Sequence, residues 1–181
     1  PQSRIAAAVE TGPTPAQTGP RLTAQVGGTV STVAWVGELA AAGVGPRLIV
    51  YDPDTLEPVG HTGPLPDLVR DVALQGSRAY LALGQHGLLT VDLTDPAAPR
   101  VVGSYQPGGS VTGVAVSQRV VVVPADLAGF WILDAAQPEA TTALAHIGTD
   151  EPAAAADLKG DLAYLLSGSL LQVASVSRPD S

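Results

Sequence analysis

Cysteine and methionine are missing from this 181-residue chain, lysine occurs once as Lys159, histidine three times, and aromatic residues make up 4%. Without a thiol there is no disulfide, thiolate metal site, iron–sulfur cluster or cysteine nucleophile. Such a chain suits oxidising and reducing compartments equally. Nine basic residues stand against 17 acidic ones, a formal charge of −8, and leave no basic stripe to neutralise phosphates. This argues against nucleic acid and anionic membrane surfaces as partners. The longest apolar runs, such as Val120 to Val123, fall far short of the ~20 residues that cross a bilayer as a helix, so no membrane insertion is expected. A chain without methionine does not start at its native initiator, so processing or a longer parent protein is expected.

What is present is 45% hydrophobic and 14% charged residues, the composition of one globular domain over residues 1–181. A core of this size buries roughly 70% of the unfolded surface and needs no staple. The pattern is repetitive. "GLLTVDLTDPAAPRVVGSY", from Gly87, has weaker copies in "PRLIVYDPDTLEPVGHT", from Pro46, and "GFWILDAAQPEATTALAHI", from Gly129, and a truncated one in "SLLQVASVSRPDS", from Ser169. The aligned Asp52, Asp92, Asp134 and Ser175 lie 40, 42 and 41 residues apart. A second register agrees: "LQGSRAYLAL", from Leu74, matches "LKGDLAYLLS", from Leu158, with Gly76 and Gly160 at 84 residues, twice the period. "VAVSQRVVVVP", from Val114, fills the intervening slot with a turn one residue shorter.

Within each unit apolar residues alternate or form short runs, broken every few residues by Gly, Pro or Asp, which predicts strands. In the second unit these are Asp71–Leu74, Arg78–Leu83, Leu88–Leu93 and Arg100–Tyr105. Ala153–Ala156, after Pro152, is expected to be a loop leading into a strand. Four-stranded units of about 40 residues in tandem imply an all-β chain of about four antiparallel β-propeller blades. A β-solenoid is the other repeat architecture weighed, but its rungs repeat at shorter period. The expected blades cover residues 30–62, 68–106, 111–147 and 154–178, with residues 21–26 as an outermost strand and Ile5–Glu10 as a further strand that could complete the last blade. The expected core is Val33, Val50, Val72, Leu81, Val91, Val102, Val114, Val122, Ile132 and Leu165. Two arrangements stay open: a small closed ring, or an arc of a larger propeller that self-associates through its open blade edges.

Leu88 to Ser117, with Leu89–Val91, Asp92, Asp95, Pro96, Pro99 and Val101–Gly103, resembles the LVIVD repeat, a β-propeller repeat related to YVTN and quinoprotein-like repeats. The resemblance weakens elsewhere: Gln137 and Pro138 replace Asp-Pro in the third copy, and Ser175 replaces the aspartate in the fourth. It implies a propeller scaffold, commonly of six to eight blades, in bacterial or archaeal proteins, many of them exported or surface-attached. The implied location is extracellular, periplasmic or at the cell surface. The family has no common catalytic motif, so no catalytic residues carry over.

The repeated Asp52, Asp92 and Asp134 end third strands before turns, where a carboxylate accepts backbone N–H groups and fixes the reversal. They are expected to be structural, because the series lacks the late bidentate glutamate of a calcium loop. His61 and His146 fall at one rim position in two blades and His86 in another loop class, so no metal triad is expected. Phe130 and Trp131, consecutive on a strand, should face opposite interblade spaces. In propellers the strand-two-to-three turns and the interblade linkers emerge together on one face around the opening. There they carry the candidate ligand-binding residues Arg70, Asp71, His86, Asp126 and Asp150, with Asp67 and Glu151 on the same linkers. No cofactor is expected. The reading is a non-enzymatic binding or scaffold module that recognises a protein or small ligand on this face. The alternative is a lactonase-like or quinoprotein-like hydrolase or oxidoreductase with a metal or quinone over the central opening.

Overall fold

The apolar alternation drives each unit into a hairpin meander whose strands have two apolar faces, one for each neighbouring unit. A computed structural model describes residues 30–176. Blade 1 holds β1 (Val30–Val36), β2 (Leu39–Val44), β3 (Leu48–Tyr51) and β4 (Pro58–His61). Blade 2 holds β5 (Asp71–Gln75), β6 (Arg78–Ala82), β7 (Leu88–Asp92) and β8 (Arg100–Tyr105). Blade 3 holds β9 (Ala115–Ser117), β10 (Val120–Pro124), β11 (Phe130–Asp134) and β12 (Thr142–Ile147). Blade 4 holds β13 (Ala153–Lys159), β14 (Leu162–Ser167) and β15 (Leu170–Ser175). Every sheet is an antiparallel meander, of four strands in blades 1 to 3 and of three described strands in blade 4. The first strands of successive blades, β1, β5, β9 and β13, lie side by side. The molecule is a four-bladed β-propeller. The expected strand over residues 21–26 and the one at Ile5–Glu10 fall outside the described residues.

Three apolar clusters fill the spaces between successive blades. Leu48 and Val50 of blade 1 meet Val72, Leu81 and Val91 of blade 2. Tyr80 and Leu88, on the other face of blade 2, meet Val114, Val123 and Leu133 of blade 3. Val122, Phe130 and Ile132 then meet Ala163 and Leu165 of blade 4. Phe130 enters the third cluster while Trp131 packs on the second, as period two requires.

Four sequence expectations need correction. Val33, placed in the core, is 71% exposed, because its equivalents Val72 and Val114 pack against a preceding blade and blade 1 has none among the described residues. Val102 is only half-buried on the outer strand β8. Ala153–Ala156 is no loop but the start of β13, paired with Leu165 to Ser167. The blade 3 turn is also not shortened: Gln118 (φ +52°) occupies the left-handed place held by Gly76 (φ +55°) and Gly160 (φ +59°) in blades 2 and 4.

Candidate functional site on the loop face

The repeated aspartates are spent on turns. Asp52 accepts the N–H groups of Asp54 (2.9 Å) and Thr55 (3.0 Å), Asp92 the N–H (2.9 Å) and hydroxyl (2.6 Å) of Thr94, and Asp134 the N–H of Ala136 (2.9 Å). Donation by Thr55 and Asp54 N–H lowers the pKa of Asp52, and the Thr94 hydroxyl, then its N–H, lowers that of Asp92. His146 stacks on Trp131 at 4.3 Å between centroids on the rim, and His61 bonds to the carbonyl of Thr62 at 2.9 Å. The two do not converge.

The five candidate ligand residues divide by what the fold already asks of them. Asp71 opens the inner strand β5, where its Oδ1 accepts the Thr32 hydroxyl (3.0 Å) and the Val72 N–H (2.9 Å), and its Oδ2 accepts the Val114 N–H (3.0 Å). One carboxylate therefore joins blades 1, 2 and 3 close to the axis, with both of its oxygens engaged. Asp126 acts through its backbone: in a left-handed conformation (φ +52°), its carbonyl accepts the Ala153 N–H at 2.9 Å and pairs blade 3 with blade 4. Asp150 lies apart on the linker after blade 3, where with Thr149, Glu151, Ser167, Leu170 and Gln172 it lines a cavity of about 240 Å³.

Arg70 and His86 come together, with Asp67 as the third member. The His86 Nδ1 lies 3.5 Å from the Asp67 Oδ2, and both side chains are partly exposed, 49% and 27%. The guanidinium of Arg70 covers Gly84, whose turn leads to His86; a Cβ at Gly84 would meet Arg70 Nε at 2.4 Å. The Asp67 pKa is lowered mainly by the Leu68 N–H, then by the His86 hydrogen bond and the charges of Arg70 and His86. Gln106 Nε2 donates to the His86 carbonyl at 2.9 Å and fixes this turn to the next linker. Sequence reading placed Asp67 on the right linker but outside the chosen set, and gave no signal for Gln106. Their pairing depends on two loops some 20 residues apart meeting in space.

The arrangement suits polar recognition: one anion, one cation and one titratable imidazole on a rigid exposed rim. A metal or quinone over the opening would need converging free ligands, whereas the Asp71 carboxylate there is engaged with three donors. Among the described residues no three His, Asp or Glu side chains group as metal ligands.

Residues 68–107, which span blade 2, match the LVIVD repeat. No curated protein matches the chain. Among solved structures, the computationally designed Ika4 protein is 12% identical with a TM-score of 0.70, covering 84% of this chain and 94% of its own. The computationally designed Ika8 protein is 10% identical with a TM-score of 0.70, covering 81% of this chain and 46% of its own. The Cps50 (Swd1) β-propeller domain of Myceliophteria thermophila is 14% identical with a TM-score of 0.68, covering 82% of this chain and 54% of its own. The chain thus spans about half the length of the last two. At these identities the likeness concerns the fold alone.

Proposed function

We propose that this LVIVD-repeat propeller is a non-enzymatic recognition module of an exported or surface-attached protein, and that it binds a protein or small polar ligand on the loop face at Asp67, Arg70 and His86. The observation that carries this reading is the division of labour on that face. The Asp71 carboxylate is consumed in joining blades, while the side chains of Asp67 and His86 meet 3.5 Å apart at the surface, with Arg70 on the same linker as Asp67. Folds of this kind present variable loops on a constant scaffold, and function follows the loops.

The test is affinity capture with the immobilised full chain, against an Asp67→Ala, Arg70→Ala, His86→Ala triple variant whose circular dichroism matches the parent. A species held by the parent and lost by the triple variant is the expected result; equal recovery places the site elsewhere. Metal analysis, with melts in calcium, magnesium and chelator, addresses the enzymatic alternative. A bound ion at one per chain, or stabilisation of about 2.7 kcal/mol at a hundredfold excess over Kd, would overturn the purely scaffolding reading. Fractionation of the producing cells with an antibody to the chain tests export, which recovery from the cytosol alone would refute.

A further inference from the structure

Among the described residues, blade 1 exposes a leading face and blade 4 a trailing face whose equivalents are buried at the seams between blades. On the leading face, Val69, Val72 and Leu74 of blade 2 pack on blade 1, and Val111, Val114 and Val116 of blade 3 pack on blade 2. The same positions in blade 1 are Val30, Val33 and Trp35, exposed by 44%, 71% and 70%. On the trailing face, Phe130 and Ile132 of blade 3 are 0% and 5% exposed against blade 4, whereas their equivalents Leu171 and Val173 are 63% and 55% exposed, beside Leu162 and Leu166.

We propose that two copies of this chain join head to tail, the trailing face of blade 4 in each packing on the leading face of blade 1 in the other, to close one eight-bladed ring. The two faces are complementary by construction, since each is the repeat equivalent of half of a seam already formed three times within the chain. The polar register repeats with them. At each internal seam the carbonyl of a residue in left-handed conformation after a blade's second strand accepts an N–H from the next blade. These pairs are Gly45 with Val69 (3.1 Å), Gly84 with Val111 (2.8 Å) and Asp126 with Ala153 (2.9 Å). Gly168 (φ +54°) stands at this place in blade 4, and Val30 is the partner position in blade 1, set off by the same bulge that follows Ala153. A second hydroxyl contact recurs: Ser31 and Thr112 donate to the carbonyls of Val69 and Ala153 of the following blade. A heterologous contact made twice about a two-fold axis forms a closed ring and leaves no open face. The exposed apolar side chains on both terminal faces then meet each other instead of water.

The absence of cysteine makes a disulfide test clean. At the internal seam of blades 1 and 2, Gly43 lies directly against Val69, a Cβ built on it falling 2.8 Å from the Val69 Cβ; Leu166 and Val30 hold these two positions at the proposed seam, which must stand about 1 Å wider there to seat side chains and brings the two within the ~3.8 Å that a disulfide spans. A Val30→Cys, Leu166→Cys double variant of the full chain, oxidised at micromolar concentration, is expected to give a covalent species of two chains. Light scattering on the unmodified chain should report two chains, and Trp35→Glu or Leu171→Glu, with unchanged circular dichroism, one. An internal disulfide at unchanged mass would mean that a single chain closes on itself and would overturn the proposal. So would a ladder of higher polymers, a parent with the mass of one chain, or no cross-link. The cysteine variant keeps the proposal testable should either glutamate variant fail to fold.

Discussion

At the scale of single residues, the fold uses carboxylates as turn locks. Asp92 takes two hydrogen bonds from Thr94 at the surface, so its stabilisation is screened by water. Asp92→Ala is expected to cost about 1 kcal/mol in urea unfolding. The pKa values of Asp52 and Asp92 are lowered from 3.8 in the folded chain, by N–H donation and by the Thr94 hydroxyl respectively. A depressed carboxylate contributes stability that is present above its unfolded pKa and lost as pH falls through the folded value. The urea midpoint should therefore hold steady above pH ~5 and decline below pH ~4, and the decline should shrink in an Asp52→Asn, Asp92→Asn variant. An equal decline in that variant would assign the acid sensitivity to other carboxylates.

At the scale of elements, hairpin geometry and face decide what a substitution does. Gln118 holds φ +52° in a turn where blades 2 and 4 place glycine. A left-handed conformation costs a side-chain-bearing residue about 1 kcal/mol, so Gln118→Gly should raise the thermal midpoint, with a gain of up to about 1 kcal/mol. Phe130 fills the seam of blades 3 and 4 with no exposed surface, while Leu127, three residues earlier on the turn, is 72% exposed. Phe130→Ala should lose about 3–5 kcal/mol and Leu127→Ala should stay within about 0.5 kcal/mol of the parent. Comparable losses from the two would contradict the burial of Phe130 in the seam of blades 3 and 4.

At the scale of the whole molecule, stability comes from neighbour-to-neighbour seams, and Asp71 spans two of them by reaching Thr32 in blade 1 and Val114 in blade 3. Its removal would leave the Val114 N–H without its acceptor near the axis, so Asp71→Ala should cost about 3 kcal/mol. Asp71→Asn keeps one acceptor oxygen and should cost less. Calorimetry is the measurement to use, because weakening one link between blades should also broaden the transition. A variant as stable and as sharply melting as the parent would show that apolar packing alone couples the blades.

The sequence by itself determined the all-β class, the period, the strands of blade 2 nearly to the residue, and the turn role of Asp52, Asp92 and Asp134. These follow from local chemistry repeated at fixed spacing: alternation selects strands, and an Asx side chain reaches its own turn. Only the tertiary structure decided which repeated positions are buried. Val33 and Val72 are equivalent in sequence, yet one is 71% and the other 5% exposed, because burial depends on whether a neighbouring blade is there to cover the face. The candidate site was decided in the same way. Asp71 is one of five candidate ligand residues by sequence, and folding spends it on three donors; Asp67 lies outside that set, and folding brings it to His86. A side chain's availability depends on partners from distant loops, and no spacing along the chain encodes how those loops meet in space.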